Sequence, residues 1–286
     1  MQIIHSVNEM QKKMLTLGKE NMIGFVATMG YFHEGHISLM KESVKDNDIT
    51  VTSIFVNPLQ FGENEDLDRY PRDLENDRKK AEAAGVDFLF IPQADDMYPS
   101  KMTLEIIAKE RTNVMCGKSR PGHFEGVATV LIKLFHIVRP DKTYFGIKDA
   151  QQAAVVEALI KDLNFPIELI TLPIVREADG LAKSSRNVNL NEQERAEAIW
   201  LKKALEHGRK IVVDGELNPA KMVKEATKII HDKTSGSVDY VEVLSYPELK
   251  PVTENDNSII IAAAVNFNQA RLIDNLIFDR EGKLLR

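Results

Sequence analysis

The chain has 286 residues, of which 43% are hydrophobic and 28% charged, values that exclude disordered and fibrous classes. A chain of this length buries about three-quarters of its unfolded surface, enough for one large domain or two ordinary ones. Its 37 Lys and Arg against 43 Asp and Glu give a net charge of −6, which argues against broad nucleic-acid binding but leaves room for a local basic pocket that takes a small anion.

Residues 2–4 read as a short strand, and Ser6 with Glu9 has the spacing of a capping box that opens a helix to about Leu17. A buried strand is expected at 23–29, a helix at 35–46 and a central parallel strand at 49–56, apolar on both faces. A helix follows at 73–84 with Gly85 at its C-terminal end, then a strand at 87–91 stopped by Pro92. Apolar spacing predicts helices at 127–138 and 150–163, with strands at 142–145 and 168–175. This alternation implies an α/β fold, a Rossmann-like parallel sheet with helices on both faces, over residues 1–175. From 176 to 286 the pattern changes to a smaller α+β domain. It contains a long charged helix at 192–213, a second helix at 219–233 and strands at 238–244, 259–265 and 272–278.

Single Cys116 allows no disulfide within the chain and no multi-cysteine metal site, so a structural or surface thiol and a cytoplasmic location are expected. The longest apolar run, 259–265, is far short of the roughly 20 residues of a membrane helix. The opening MQIIHSVNEMQKK lacks the apolar stretch of a signal peptide.

Ligands of such sheets bind outside the carboxyl ends of the strands, and four polar segments fall there. Met29, Gly30, Tyr31, Phe32, His33, Glu34, Gly35 and His36 join a strand to a helix start, where free N–H groups and two imidazoles favour an anion. Asn57 and Gln60 follow the next strand and suit a small polar ligand. Gly146, Ile147, Lys148 and Asp149 lead into Gln151 and Gln152. Lys183, Ser184, Ser185 and Arg186 gather two cations and several donors after an Asp179-Gly180 turn, as a mobile loop over a triphosphate would. Neither a P-loop nor a dinucleotide fingerprint is present. The acidic run at 63–68 reads as a solvated loop, with assistance to Mg²⁺ as the alternative.

The motifs TMGYFHEGH (28–36), FVNPLQFG (55–62), DLDRYPRDLENDR (66–78), RPGHFEGVATVLIKLF (120–135), FGIKDAQQ (145–152) and READGLAKSSRNVNL (176–190) resemble those of the pantothenate synthetase, or pantoate–β-alanine ligase, family. That family belongs to the wider nucleotidyltransferase group. The resemblance implies a homodimer, ATP and Mg²⁺, and pantoate and β-alanine as substrates, with no nucleic-acid or membrane partner. By motif match, Met29 to His36, Gly146 to Asp149, Val175 and Lys183 to Arg186 would contact ATP. Gln60 and Gln152, with Asn57, would take pantoate and β-alanine. His33, His36, Lys148 and Arg186 are the candidate catalytic groups, His36 as the family's proton donor. Metal ligands are not assigned. Tyr31-Phe32 departs from the small-Leu pair common in the family. A tRNA-linked synthetase fragment would share the H-x-G-H element, but the net charge and the lack of a basic extension oppose it. A simple nucleotidyltransferase is the other alternative.

Overall fold

The computed structural model describes residues 1–62 and 67–285. Its strands are β1 (Gln2–Ile4), β2 (Ile23–Thr28), β3 (Ile49–Ile54), β4 (Phe88–Phe90), β5 (Lys142–Gly146), β6 (Glu168–Leu172), β7 (Ser237–Ser245), β8 (Ile259–Asn266) and β9 (Arg271–Phe278). Its α-helices are α1 (Val7–Leu17), α2 (Glu34–Asp46), α3 (Leu74–Ala83), α4 (Ala94–Met97), α5 (Met115–Ser119), α6 (His123–Val138), α7 (Ala150–Asp162), α8 (Glu192–Glu197), α9 (Trp200–Val213) and α10 (Pro219–Lys233). Two compact units result. The first holds Met1–Lys109, Arg120–Gly146 and Val155–Leu172; the second holds Glu110–Ser119, Ile147–Ala154 and Pro173–Arg286.

The first unit is a parallel sheet in the order β1-β4-β3-β2-β5-β6, with Ile23 opposite Ile49 and Gly24 opposite Lys142 in the ladders. Side chains alternate between its faces. Phe25, Phe88, Phe90 and Phe145 join Met10 and Met14 of α1, Leu131 and Phe135 of α6 and Val156 of α7. Val26, Leu89 and Tyr144 join Leu39 and Met40 of α2 and Ala81 of α3 on the other face. Because both faces are covered, the strands read as unbroken apolar runs rather than as alternating ones. The chain leaves β2 toward β3 and β4 on one side, while β5 and β6 lie on the other, so the strand order reverses between β2 and β5. The crevice at such a reversal is where open α/β sheets take ligands.

The second unit is an antiparallel sheet in the order β7-β8-β9. One face of β8 (Ile259, Ile261, Ala263, Val265) packs on Leu201 and Leu205 of α9 and Met222 and Ala226 of α10. Its other face (Ile260, Ala262) packs on Met115, Ile147, Ala150, Ala153 and Ala154. This second burial explains why two short segments from earlier in the chain group with 173–286, where a reading in chain order sees one division at 175/176.

Two helices differ from expectation. The helix expected at 127–138 starts at His123, because Gly122 in the left-handed region (φ +81°) turns the chain into it. Gly126 is no breaker there: an added Cβ would lie 2.3 Å from the Leu59 carbonyl oxygen, so glycine allows the close approach of the 3-10 turn Pro58–Gln60. The helix expected at 192–213 is two, α8 and α9. The break is a tightened turn in which Leu201 N–H bonds to the Ala198 carbonyl three residues back.

Gly24 fixes the seat of α2 on β2. A Cβ at Gly24 would lie 2.2 Å from Ser43 Oγ and 2.4 Å from Asn47 Nδ2. Ser43 Oγ pairs with Thr50 Oγ1 at 2.9 Å, and Asn47 Nδ2 donates to the Ser43 carbonyl and to Tyr144 Oη, each at 2.7 Å. Gly24→Ala is therefore expected to cost about 1–3 kcal/mol of stability by overpacking, read from the urea unfolding midpoint.

Candidate active site

At the end of β2 the Thr28 hydroxyl donates to the Ser53 carbonyl (2.6 Å) and accepts from Gly30 N–H (3.1 Å). Gly30 (φ +87°) and Tyr31 (φ +53°) then turn the chain through the left-handed region. Tyr31 carries a Cβ into that region, a conformation that costs of order 1–3 kcal/mol and needs outside support. Asp77 of α3 supplies it. Its carboxylate accepts from Tyr31 N–H at 2.7 Å and from Phe32 N–H at 2.6 Å, and Lys80 Nζ donates to the Phe32 carbonyl at 2.6 Å. Asp77 is only 2% exposed. Burial raises its pKa above the ordinary carboxylate value, and the two backbone donors oppose that rise.

His33 and His36 form a reciprocal cap on α2. His33 Nδ1 accepts from Gly35 N–H at 3.1 Å, and His36 Nδ1 from His33 N–H at 3.4 Å. A backbone N–H only donates, so both Nδ1 atoms are acceptors and the proton of each neutral ring lies on Nε2. The ring centroids are 4.1 Å apart, and Phe32 packs 5.7 Å from His36. The cap thus orients two Nε2–H donors at the positive end of a helix, an arrangement suited to phosphate oxygens. Phe32, one of the two residues that depart from the family pattern, is buried among Val26, Leu39 and Met40.

Asn57 and Gln60 sit on the 3-10 turn after β3. Asn57 is 1% exposed. Its Nδ2 donates to the Gly126 carbonyl (3.0 Å) and to Gln60 Oε1 (3.3 Å), and its Oδ1 accepts from Leu59 N–H (3.3 Å). These three bonds engage the Asn57 amide in holding the turn. Gln60 Nε2 lies 3.2 Å from Met29 Sδ, which brings the first two motifs together. A cleft of about 300 Å³ opens at these strand ends, lined by Met29, Tyr31, Phe55, Arg72 and Asp77 among others.

In the second unit, Lys183 N–H bonds to the Val175 carbonyl and Glu177 N–H to the Leu181 carbonyl, closing a hairpin across the Asp179-Gly180 turn. Lys183 Nζ pairs with Glu177 at 3.1 Å. Ser184 Oγ accepts from Arg186 N–H and caps the 3-10 turn Ser185–Asn189. The hairpin is tied to β9 by Arg176, whose two terminal nitrogens meet the Asp274 carboxylate at 2.7 and 2.9 Å. The next residue, Asn275, donates from Nδ2 to the carbonyls of Ile147 and Lys148 at 3.0 and 2.9 Å. One strand thereby fixes both cationic segments, and Lys148, Ser184, Asn187 and Asp274 share a cavity of about 10 Å³, room for one water. Gln152 is half-buried, whereas Gln151 is buried and donates to the Arg111 and Val114 carbonyls. Cys116 is buried, with Sγ 3.3 Å from the Tyr240 hydroxyl.

Among the described residues, no three His, Cys, Asp or Glu side chains cluster as metal ligands. Of the acidic run at 63–68, residues 63–66 lie outside the described residues. The sequence reading missed Asp77, Lys80, Asp274 and Asn275. Asp77 lies inside the motif at 66–78, but its local pattern is that of an ordinary helix-start acid. Asp274-Asn275, polar in the middle of the apolar strand RLIDNLIF, is a signal that was available.

A sequence model of the Pantoate-beta-alanine ligase family matches residues 2–277. The pantothenate synthetase of Geobacillus thermodenitrificans is 55% identical over 278 residues, covering 97% of this chain and 96% of that protein. That of Bacillus subtilis is 53% identical over 276 residues, covering 96% of each. Among solved structures, the pantothenate synthetase from Thermus thermophilus superposes with a TM-score of 0.91 at 40% identity, covering 99% of this chain and 100% of that one. The pantoate-beta-alanine ligase from Francisella tularensis, complexed with beta-gamma ATP and beta-alanine, gives 0.81 at 34% identity and covers 98% of each chain.

Asp77→Asn sets an amide N–H against a backbone N–H and is expected to cost about 1–3 kcal/mol in urea unfolding. The native carboxyl pKa lies above the unfolded one, so the proton-linked part of the group's contribution is full below the unfolded pKa and is lost as pH rises through the native value, while the two backbone hydrogen bonds persist. The variant should lack that segment of the stability–pH curve. Asp274→Ala leaves the Arg176 guanidinium, 18% exposed, without its anion. A loss of about 3 kcal/mol is expected, seen as a lowered Tm.

Proposed function

The chain belongs to the pantoate–β-alanine ligase family, and we propose that it joins (R)-pantoate to β-alanine through a pantoyl-adenylate intermediate, with ATP as co-substrate and AMP and pyrophosphate as products. The observation that carries this reading is the reciprocal His33–His36 cap, which leaves the Nε2 atom of each neutral ring as its donor at a helix N-terminus that follows a strand end.

In the first step a pantoate carboxylate oxygen attacks the α-phosphorus of ATP. The P–O bond to pyrophosphate breaks, and the electron pair leaves with it. An aliphatic carboxylate is already ionised at neutral pH, so no base is required. The step needs positioning and neutralisation of phosphate charge. His33 and His36 donate from Nε2, while Lys148, Lys183 and Arg186 supply positive charge and Ser184 and Ser185 further donors. Met29 to His36, Gly146 to Asp149 and Val175 hold the nucleotide; Gln60 and Gln152 hold the acid. Mg²⁺, when present, would add charge neutralisation to that supplied by these residues. In the second step the amine of β-alanine, having lost its ammonium proton to solvent, attacks the acyl carbon; the C–O bond to phosphate breaks, AMP leaves with the electron pair, and the nitrogen releases its further proton to solvent as the amide forms. We read the enzyme as a cytoplasmic homodimer, in keeping with the motif resemblance.

The test supplies ATP, Mg²⁺ and pantoate with and without β-alanine. Stoichiometric pyrophosphate without β-alanine, and AMP only with it, is expected. AMP release independent of β-alanine overturns the reading. His36→Ala should slow single-turnover pyrophosphate formation about 10²–10³-fold while pantoate binding changes little.

A further inference from the structure

The RPGHF motif contributes His123, which the proposed reaction leaves without a role, and Tyr98 lies in no motif. Both reach the turn that carries Gln60. His123 Nδ1 lies 2.8 Å from the Gln60 carbonyl oxygen, and its Nε2 lies 3.0 Å from Arg120 Nη1. A guanidinium only donates and a carbonyl only accepts. Nε2 is therefore the acceptor, the proton sits on Nδ1, and His123 donates to the Gln60 backbone. Arg120 Nη2 approaches the same carbonyl at 3.5 Å.

On the side-chain end, the Tyr98 hydroxyl donates to Asn57 Oδ1 at 2.8 Å, beside the Leu59 N–H that meets the same oxygen. Two donors on Oδ1 fix which way the Asn57 amide points. A flipped amide would set Nδ2 against the Leu59 N–H and Oδ1 against the Gly126 carbonyl, and it would cost Oδ1 the hydrogen bond that Tyr98 donates. With Oδ1 held, Asn57 Nδ2 must face Gln60 Oε1. That in turn fixes the Gln60 amide, with Oε1 inward and Nε2 toward Met29 Sδ. Thioether sulfur is a weak acceptor, so this N–H is readily given to a stronger one such as a carboxylate or hydroxyl oxygen. The Tyr98 ring is held by Phe55 at 6.2 Å.

We propose that Tyr98 and His123 are positioning residues for recognition of the hydroxy acid, the first acting through Asn57 and the second on the Gln60 backbone, so that Gln60 meets its ligand as an oriented N–H donor. This rests on the reading that Gln60 binds pantoate.

The experiment measures steady-state kinetics of the full chain for Tyr98→Phe, His123→Ala, His123→Asn, Gln60→Ala and the double variant Tyr98→Phe/Gln60→Ala. One lost hydrogen bond of about 0.5–1.5 kcal/mol corresponds to a roughly 2–12-fold rise in KM for pantoate. That rise is expected for Tyr98→Phe and His123→Ala, with KM for ATP and kcat within about twofold of the parent. His123→Asn, whose amide can still donate, should recover most of the loss. Tyr98→Phe should add nothing in the Gln60→Ala background, because it acts through that side chain. Equal rises in KM for pantoate and ATP, or full additivity in the double variant, would overturn the proposal while leaving Gln60 as a ligand. An unchanged KM for pantoate in Gln60→Ala would remove the role of Gln60 itself and this proposal with it.

Discussion

Backbone N–H groups that leave a parallel strand have no ladder to bond to, and the first unit is organised around supplying them. Beyond β2 the donors of Gly30, Tyr31, Phe32, His33 and Gly35 are met in turn by Thr28 Oγ1, both Asp77 oxygens, His36 Nδ1 and His33 Nδ1. An unpaired buried donor costs about 1–3 kcal/mol, so the segment has one arrangement in which all these are satisfied. The functional consequence is indirect. Each imidazole spends one nitrogen on structure, and its tautomer is set by that bond rather than by the ligand. The nitrogen left over on each ring is therefore decided by what the other must do for the fold.

The second unit solves a similar problem with charge. Asp274 is 3% exposed on an apolar strand, a costly position for a carboxylate unless it is paired. Arg176 meets it with two hydrogen bonds and also donates to the Gly180 carbonyl, so the cost of burial becomes the anchor of a hairpin. Asn275 points from the opposite face of the same strand to the Ile147 and Lys148 carbonyls. Alternation along β9 thus lets two adjacent residues hold two different cationic segments. The lysine tips are engaged too, Lys183 Nζ with Glu177 at 3.1 Å and Lys148 Nζ with Asp149 at 3.9 Å, so side chains as well as backbone atoms tie these segments.

The sheet was legible because burial on both faces writes itself as runs such as ITVTSI and IIIAAAV, and turns as Gly or Asp-Gly. The strand ends, and hence the four polar segments, followed from that. Asn57 illustrates what was not legible. An Asn after a strand reads the same whether its amide faces a ligand or the Gly126 carbonyl, and only the approach of α6 decides. The small size of Gly126 likewise serves a contact 67 residues away with Leu59, which no local pattern shows. The membership of 110–119 and 147–154 in the second unit depends on the second face of β8, which a linear pattern does not reveal. Asp77 was hidden among helix-start acids with the same local signature.

The choice of glutamine for the acid also follows from the proposed chemistry. The pantoate carboxylate must be held and yet remain a nucleophile. An arginine would engage both oxygens with parallel charge-assisted bonds and draw their lone pairs away from phosphorus. A neutral amide donates one directed bond and leaves electron density on the attacking oxygen. Its weakness is that a flexible Gln offers N–H and C=O with nearly equal ease, so selectivity for an anion requires that the amide be prevented from turning. The inward bonds at Asn57 and on the Gln60 carbonyl supply that restraint without adding charge near the nucleophile.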